Sequence, residues 1–207
     1  MTDIDQLRTW LGSGSINIFG KPFSGKDTQG RFLAELFGGE LMGGGDILRN
    51  SADRIPQHVT DLIRAGKLAP TEDYVNIVLP YLHQDAFKGK PLILSSVGRW
   101  HGEEEGVIEA TEASGHPLKA VIYLDLEDED VEKRWSMLHH TNDREIRHDD
   151  TLEVLDVRLK EYEEKTIPVI EYYREKGLLI DIDGTKSPKE VQTAILEALA
   201  NRASTSP

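Results

Sequence analysis

The sequence contains no cysteine. That excludes disulfide staples, thiol nucleophiles and thiolate zinc sites. Basic residues are also scarce: 24 lysines and arginines stand against 37 acids, for a net charge of −13. No face suited to non-specific nucleic-acid or anionic-membrane binding is expected, because both require concentrated positive charge. A few arginines can still converge on phosphate inside an acidic shell. No apolar run approaches the ~18 residues of a membrane span. The opening MTDIDQLRTWLG has no basic segment followed by an apolar block, so no signal peptide is expected and a cytoplasmic location is the default. What the chain does have is enough apolar material, 38% of 207 residues, to build a core, and a length that favours one domain.

Short apolar runs alternate with longer patterns of helical period. The runs are Ile16–Phe19, Leu92–Leu94, Val121–Leu124 and Leu178–Ile182, with a weaker one at Leu41 and Met42. Their continuous rather than alternating apolarity predicts strands buried on both faces of a parallel sheet. Phe32, Leu33, Leu36 and Phe37 form a helical stripe that Gly38-Gly39 should end. Pro56 begins a helix carrying Val59, Leu62 and Ile63, with Gly66 as its stop, and Thr71 caps another running to about Asp85. Leu152, Leu155, Leu159 and Tyr162 mark a long helix that Pro168 should kink or restart. Val191, Ile195, Leu196 and Leu199 mark the last helix, before a polar tail over 202–207 expected to fray. Strand–helix alternation of this kind predicts an α/β fold with right-handed crossovers.

One motif carries chemistry. Strand Ile16–Phe19 runs into Gly20-Lys21-Pro22-Phe23-Ser24-Gly25-Lys26-Asp27-Thr28, and a helix follows. This is Gly-x-x-x-x-Gly-Lys in the strand–loop–helix setting of a phosphate loop. Gly20 and Gly25 allow the backbone to aim successive N–H groups at one point, and the helix amino end adds partial positive charge. Lys26 supplies a cation for the β- and γ-phosphates of a nucleoside triphosphate. Directly after the lysine, where Ser or Thr commonly holds Mg²⁺, stands Asp27. Its carboxylate either ligates Mg²⁺ or simply favours the first turn of the helix.

Gly25-Lys26-Asp27-Thr28-Gln29 resembles the Gly-Lys-Gly-Thr-Gln of adenylate kinases, and further matches follow in order. Gly45-Asp46-Ile47-Leu48-Arg49 is similar to their Gly-Asp-Met-Leu-Arg, and Ala65-Gly66-Lys67-Leu68 to their Ala/Ser-Gly-Lys-Leu. Arg147-His148-Asp149-Asp150, with Arg158-Leu159 downstream, looks like their Arg-x-Asp-Asp and Arg-Leu. Pro168, Tyr172-Tyr173 and Asp183-Gly184-Thr185 match the carboxy-terminal third. The resemblance is collinear from about Ile16 to Leu199.

It implies a P-loop NTPase fold, with a five-stranded parallel sheet flanked by helices and two small flaps. The core domain would span 15–201, the flap for the nucleoside monophosphate (NMP) about 43–73, and a short lid about 136–147. Residues 1–14 would be an extension. The implied reaction is phosphoryl transfer from ATP, with Mg²⁺, to AMP or another NMP, by a monomer that binds neither nucleic acid nor membrane. Residue by residue, Gly20, Ser24, Gly25, Lys26, Asp27, Thr28, Arg134 and Lys186 would bind ATP. Gly44, Arg49, Arg99 and Glu103 would bind the NMP. Lys26, Arg134, Arg147 and Arg158 would surround the transferring group, with Asp149 and Asp150 positioning lid arginines. Such a site suits a reaction that mainly needs alignment, charge neutralisation and exclusion of water. Arg147 and Arg158, 11 residues apart, would fall within about 20° on one helical face if the helix reaches back that far. The adjacent His139 and His140 point in different directions on a helix, which disfavours a metal site.

The match departs at specific places. The family's Leu-Asp-Gly-Phe-Pro-Arg is here Leu94-Ser95-Ser96-Val97-Gly98-Arg99, so the aspartate that helps hold Mg²⁺ through water is lost. Asp27, Ser95 and Asp125 are the candidates to compensate. Phe23 replaces a glycine in the loop, and its side chain must find room. Four residues after Arg99, where the family reads adenine with Gln, stands Glu103. A carboxylate only accepts hydrogen bonds and would suit guanine, or else it starts a helix. AMP is thus the expected acceptor and GMP the alternative, with a nucleotide binder that has lost catalysis as a third reading.

Overall fold

The computed structural model describes residues 3–45, 47, 56–141 and 151–205. Five strands, β1 (Ser15–Gly20), β2 (Glu40–Gly43), β3 (Leu92–Ser95), β4 (Leu118–Asp125) and β5 (Leu179–Asp183), form one parallel sheet in the order β2-β3-β1-β4-β5. Each expected run became a strand. The continuous apolarity has the expected cause, since successive residues feed opposite faces. Ile93 joins the core on one face with Ile16, Ile18 and Ile122, while Leu92 and Leu94 join that on the other with Met42 and Val107. Further along the sheet, Val121 and Tyr123 lie with Phe19 in a third cluster.

Helices cover both faces. In chain order they are α1 (Asp3–Leu11), α2 (Lys26–Phe37), α3 (Gln57–Arg64), α4 (Thr71–Tyr81), α5 (Glu104–Ala113), α6 (Asp128–Thr141), α7 (Leu152–Glu161), α8 (Ile167–Glu175) and α9 (Pro188–Thr205). Gly38 ends α2 in the left-handed conformation at φ 67°, as its position after the stripe predicts. The long helix expected around Pro168 is divided: α7 passes through a π-helical turn at Tyr162–Thr166 into α8, with Pro168 in the first turn of α8.

Four expectations need correction. The helix carrying Arg158 starts at Leu152 and is capped by Thr151, whose side chain accepts from Val154 N, so it does not reach back toward 147. Thr71 is the first residue of α4 rather than its cap. The helix ends at Tyr81 and not near Asp85, because Pro80 sits in its last turn and residues 85–87 form a separate 3₁₀ turn. The polar tail does not fray at 202, since α9 continues to Thr205. Arg202 explains this by donating to the carbonyls of Gly177 at 2.9 Å and Leu179 at 3.0 Å, tying the last turn to β5. At the other end, Leu7 and Leu11 of α1 are buried in the same cluster as Leu33, Ile195 and Leu199. Arg8 donates to Leu36 O at 2.8 Å, so the amino-terminal helix is part of the core.

Candidate active site

The phosphate loop joins the carboxyl end of β1, in the middle of the sheet, to α2. Gly20 is required by space: a Cβ there would lie 2.4 Å from Ser24 Oγ and 3.1 Å from Leu124 O. Gly25 is required by conformation, with φ 90° immediately before Lys26. Gly25 is the N-cap of α2 and, as glycine, offers no side-chain cap to the helix's amino end. Ser24 Oγ is buried without a hydrogen-bond partner. A buried hydroxyl of that kind calls for a ligand. Phe23 finds its room by adopting the left-handed region at φ 61°, which costs about 1–2 kcal/mol. Its ring packs against the small cluster of Leu126, Val131 and Leu155.

Arg134, on α6, lies against this loop. It donates to Phe23 O at 3.2 Å, Ser24 O at 3.4 Å and Gly184 O at 2.6 Å, fastening the loop to the β5–α9 connection. Gly184 in turn donates to Asp125 O at 2.8 Å, and a Cβ at that glycine would stand 2.5 Å from the same oxygen. Lys186 is exposed and pairs with Asp183 at 3.4 Å; Gly184, two residues earlier, makes the contact with Arg134. Thr28 is also exposed.

The lost strand aspartate has a counterpart in space. Ser95 Oγ, at the end of β3, donates to Asp27 Oδ1 at 2.7 Å, so two of the three candidates for Mg²⁺ stand together beside Lys26. Their hard oxygens fit that ion. The third, Asp125, lies at the exposed end of β4 and accepts from Tyr123 Oη at 3.0 Å. Among the described residues no group of three acidic, histidine or cysteine side chains forms a metal cage by itself.

The β3–α5 loop, which carries Arg99, is held by side chains folded onto backbone. Asn17, buried in the centre of β1, donates to Val97 O at 2.7 Å and accepts from Val97 N at 3.2 Å. Glu103 closes the turn: one carboxylate oxygen accepts from the amides of Arg99 at 2.9 Å and Trp100 at 3.1 Å. Burial pushes its carboxyl above the ordinary 4.5, while those amides pull the other way. Thr166 donates to Arg99 O at 3.2 Å from the π-helical turn, and Lys165 lies 4.0 Å over the Trp100 ring. Lys165 also pairs with Glu161, whose carboxylate accepts from Leu68 N at 3.1 Å. Gly66, at φ 79°, packs so closely on α7 that a Cβ there would lie 3.2 Å from the Cγ of Arg158. Gly44 is buried just beyond β2.

Arg49, Arg147, Asp149 and Asp150 lie outside the described residues, as do the middle of the expected NMP flap and the end of the expected lid. His139 and His140 fall near the end of α6. Sequence reasoning missed Asn17 and Glu161. A lone amide inside an apolar run, Ile16-Asn17-Ile18, was an available signal for the first. Glu161 carries none, because its partner Leu68 is 93 residues away.

The sheet order and the glycine–lysine loop between β1 and α2 define the P-loop α/β class. Within it, the adenylate kinase family model matches residues 18–178. Adenylate kinase from Prochlorococcus marinus (strain MIT 9211) is 32% identical over 185 residues, covering 88% of this chain and 95% of that protein. Those of Parvibaculum lavamentivorans and Clavibacter michiganensis are 33% and 34% identical, covering 84% and 89% of this chain and 86% and 92% of their own lengths. The chain belongs to the adenylate kinase family and is a nucleoside monophosphate kinase.

Proposed function

We propose that this protein transfers the γ-phosphoryl group of ATP to AMP, giving two ADP. One observation carries the reading. The phosphate loop after β1 and the Arg99 loop after β3 leave adjacent parallel strands at the same edge of the sheet, so two phosphate-holding loops stand side by side. Loop amides and Lys26 hold the donor phosphates, with Ser24 Oγ as a further donor. Arg99 and Arg49 neutralise the acceptor's phosphate. Arg134, Arg147 and Arg158 offset charge on the transferring group, which passes directly between two oxygens and needs alignment above all. Asp149 and Asp150 position the lid arginines. Bound Mg²⁺ supplies charge neutralisation on the polyphosphate, with Asp27 and Ser95 as the residues that would hold it. Arg158 packs beside Gly66, within the expected NMP flap.

Glu103 is engaged with the backbone of its own turn, which favours AMP over guanine recognition. The arginines at the positions the family resemblance names, together with room made for Phe23, favour catalysis over mere binding. The protein acts as a cytoplasmic monomer; no described helix is long and apolar enough to cross a membrane. Diphosphate formation from ATP with AMP, GMP, CMP or UMP, with and without Mg²⁺, tests the whole reading. AMP should be turned over fastest and only with the metal; preferential turnover of GMP would reassign the acceptor, and no turnover with any would leave only a binder.

A further inference from the structure

Phosphate loops commonly place a hydroxyl directly after the lysine and a carboxylate at the end of a neighbouring strand, and the two share the care of Mg²⁺. Here a carboxylate follows the lysine, while the threonine that the family resemblance places one position further on, Thr28, is kept. The carboxylate, Asp27, follows Lys26 on the first turn of α2, and the hydroxyl, Ser95, ends β3, yet the two are joined at 2.7 Å. We propose that Asp27 supplies the protein's charge to the nucleotide-bound Mg²⁺ and that Ser95 is its positioning residue. This inference rests on the loop holding a nucleoside triphosphate, as read above.

Two observations support it. Ser95 is rigidly placed: it is only 6% exposed and lies in the sheet opposite Ile18 of β1. Its hydroxyl therefore donates from a fixed point, and fixing one carboxylate oxygen orients the whole group. Asp27 directly follows Lys26, the lysine that starts α2, at the helix end where polyphosphate charge is drawn.

The competing account is that Asp27 merely complements the dipole of α2. The two differ in sign. A dipole partner contributes to folding and is indifferent to magnesium. A metal-holding carboxylate repels the free triphosphate and attracts the magnesium complex.

The test is calorimetric titration of the full-length protein with β,γ-imido-ATP, with and without Mg²⁺, reading the ratio of the two affinities. Asp27→Asn should lower that ratio roughly tenfold or more, the worth of one charged contact, partly by tightening magnesium-free binding. Ser95→Ala should lower it less. A folded double variant, Asp27→Ser with Ser95→Asp, should recover the ratio. An unchanged ratio in Asp27→Asn, while wild type binds the analogue and Lys26→Met does not, overturns this inference and leaves the loop assignment standing. Wild-type protein that never retains the analogue overturns both.

Discussion

Between β1 and α2 the chain grips with backbone; between β3 and α5 it grips with side chains bent onto backbone. The first loop needs Gly20 for space and Gly25 for its positive φ, and in the proposed function its donors are main-chain amides plus Lys26. The second reaches its shape because Asn17 takes both polar groups of Val97 and Glu103 takes the amides of Arg99 and Trp100. A backbone cradle is specified locally, by a few residues in a row. The side-chain cradle combines a local contact, Glu103 with amides three and four residues away, with one across 80 residues, Asn17 with Val97. The two loops should therefore fail differently when mutated, the first in chemistry and the second in structure.

The largest expected effect separates them at once. Lys26→Met should cut turnover by roughly 10³-fold, the scale of losing one preorganised charge donor, with little change in the thermal melt. Near-normal turnover would show that the loop does not hold the reacting phosphates. Asn17→Ala should do the reverse. It leaves the N–H and C=O of Val97 buried without partners, for a loss of about 3 kcal/mol, read by urea denaturation. It should also raise KM for the acceptor more than KM for ATP, and equal rises would erase the proposed division between the loops. Gly66→Ala is smaller, about 1 kcal/mol for a side chain forced to positive φ. Because the new Cβ would press on Val154 and Arg158, its kcat should fall more than its stability predicts.

The smallest effect is a slope. The carboxyl of Glu103 titrates above 4.5 in the folded protein because it is buried. The folded state thus holds that proton more tightly than the unfolded chain. The stability it contributes is fully present below about pH 4.5 and is lost as pH rises through the raised folded value. Glu103→Gln should flatten that part of the stability–pH curve. An unaltered curve would mean that the carboxylate is better solvated than its burial implies. The same variant sharpens the reading of the base: a residue that only closes the turn should leave the preference for AMP over GMP unchanged.

The strand–loop–helix setting of the glycine–lysine loop was legible, because strand, glycines, lysine and helix are consecutive. All five strands were legible for a related reason: burial on both faces demands apolar residues at every position, and that demand is written in the run itself. The ends of elements were less so. Nothing in Arg202 announces that its guanidinium will reach Gly177 and Leu179, so α9 was expected to end early. The roles of Ser95 and Asp27 were legible only as two separate departures from a pattern, since a hydrogen bond between residues 68 apart leaves no trace in either neighbourhood.

Local conformational demand and solvent exclusion are enforced residue by residue, so the chain alone determined the parallel α/β architecture, the tight glycine bend after β1 and the family. Which polar groups meet is decided only when β1, β3 and α2 come together. Hydrogen bonds act over about 3 Å in space and are indifferent to separation along the chain. The pairing of Asn17 with Val97 and of Ser95 with Asp27 therefore belongs to the tertiary structure.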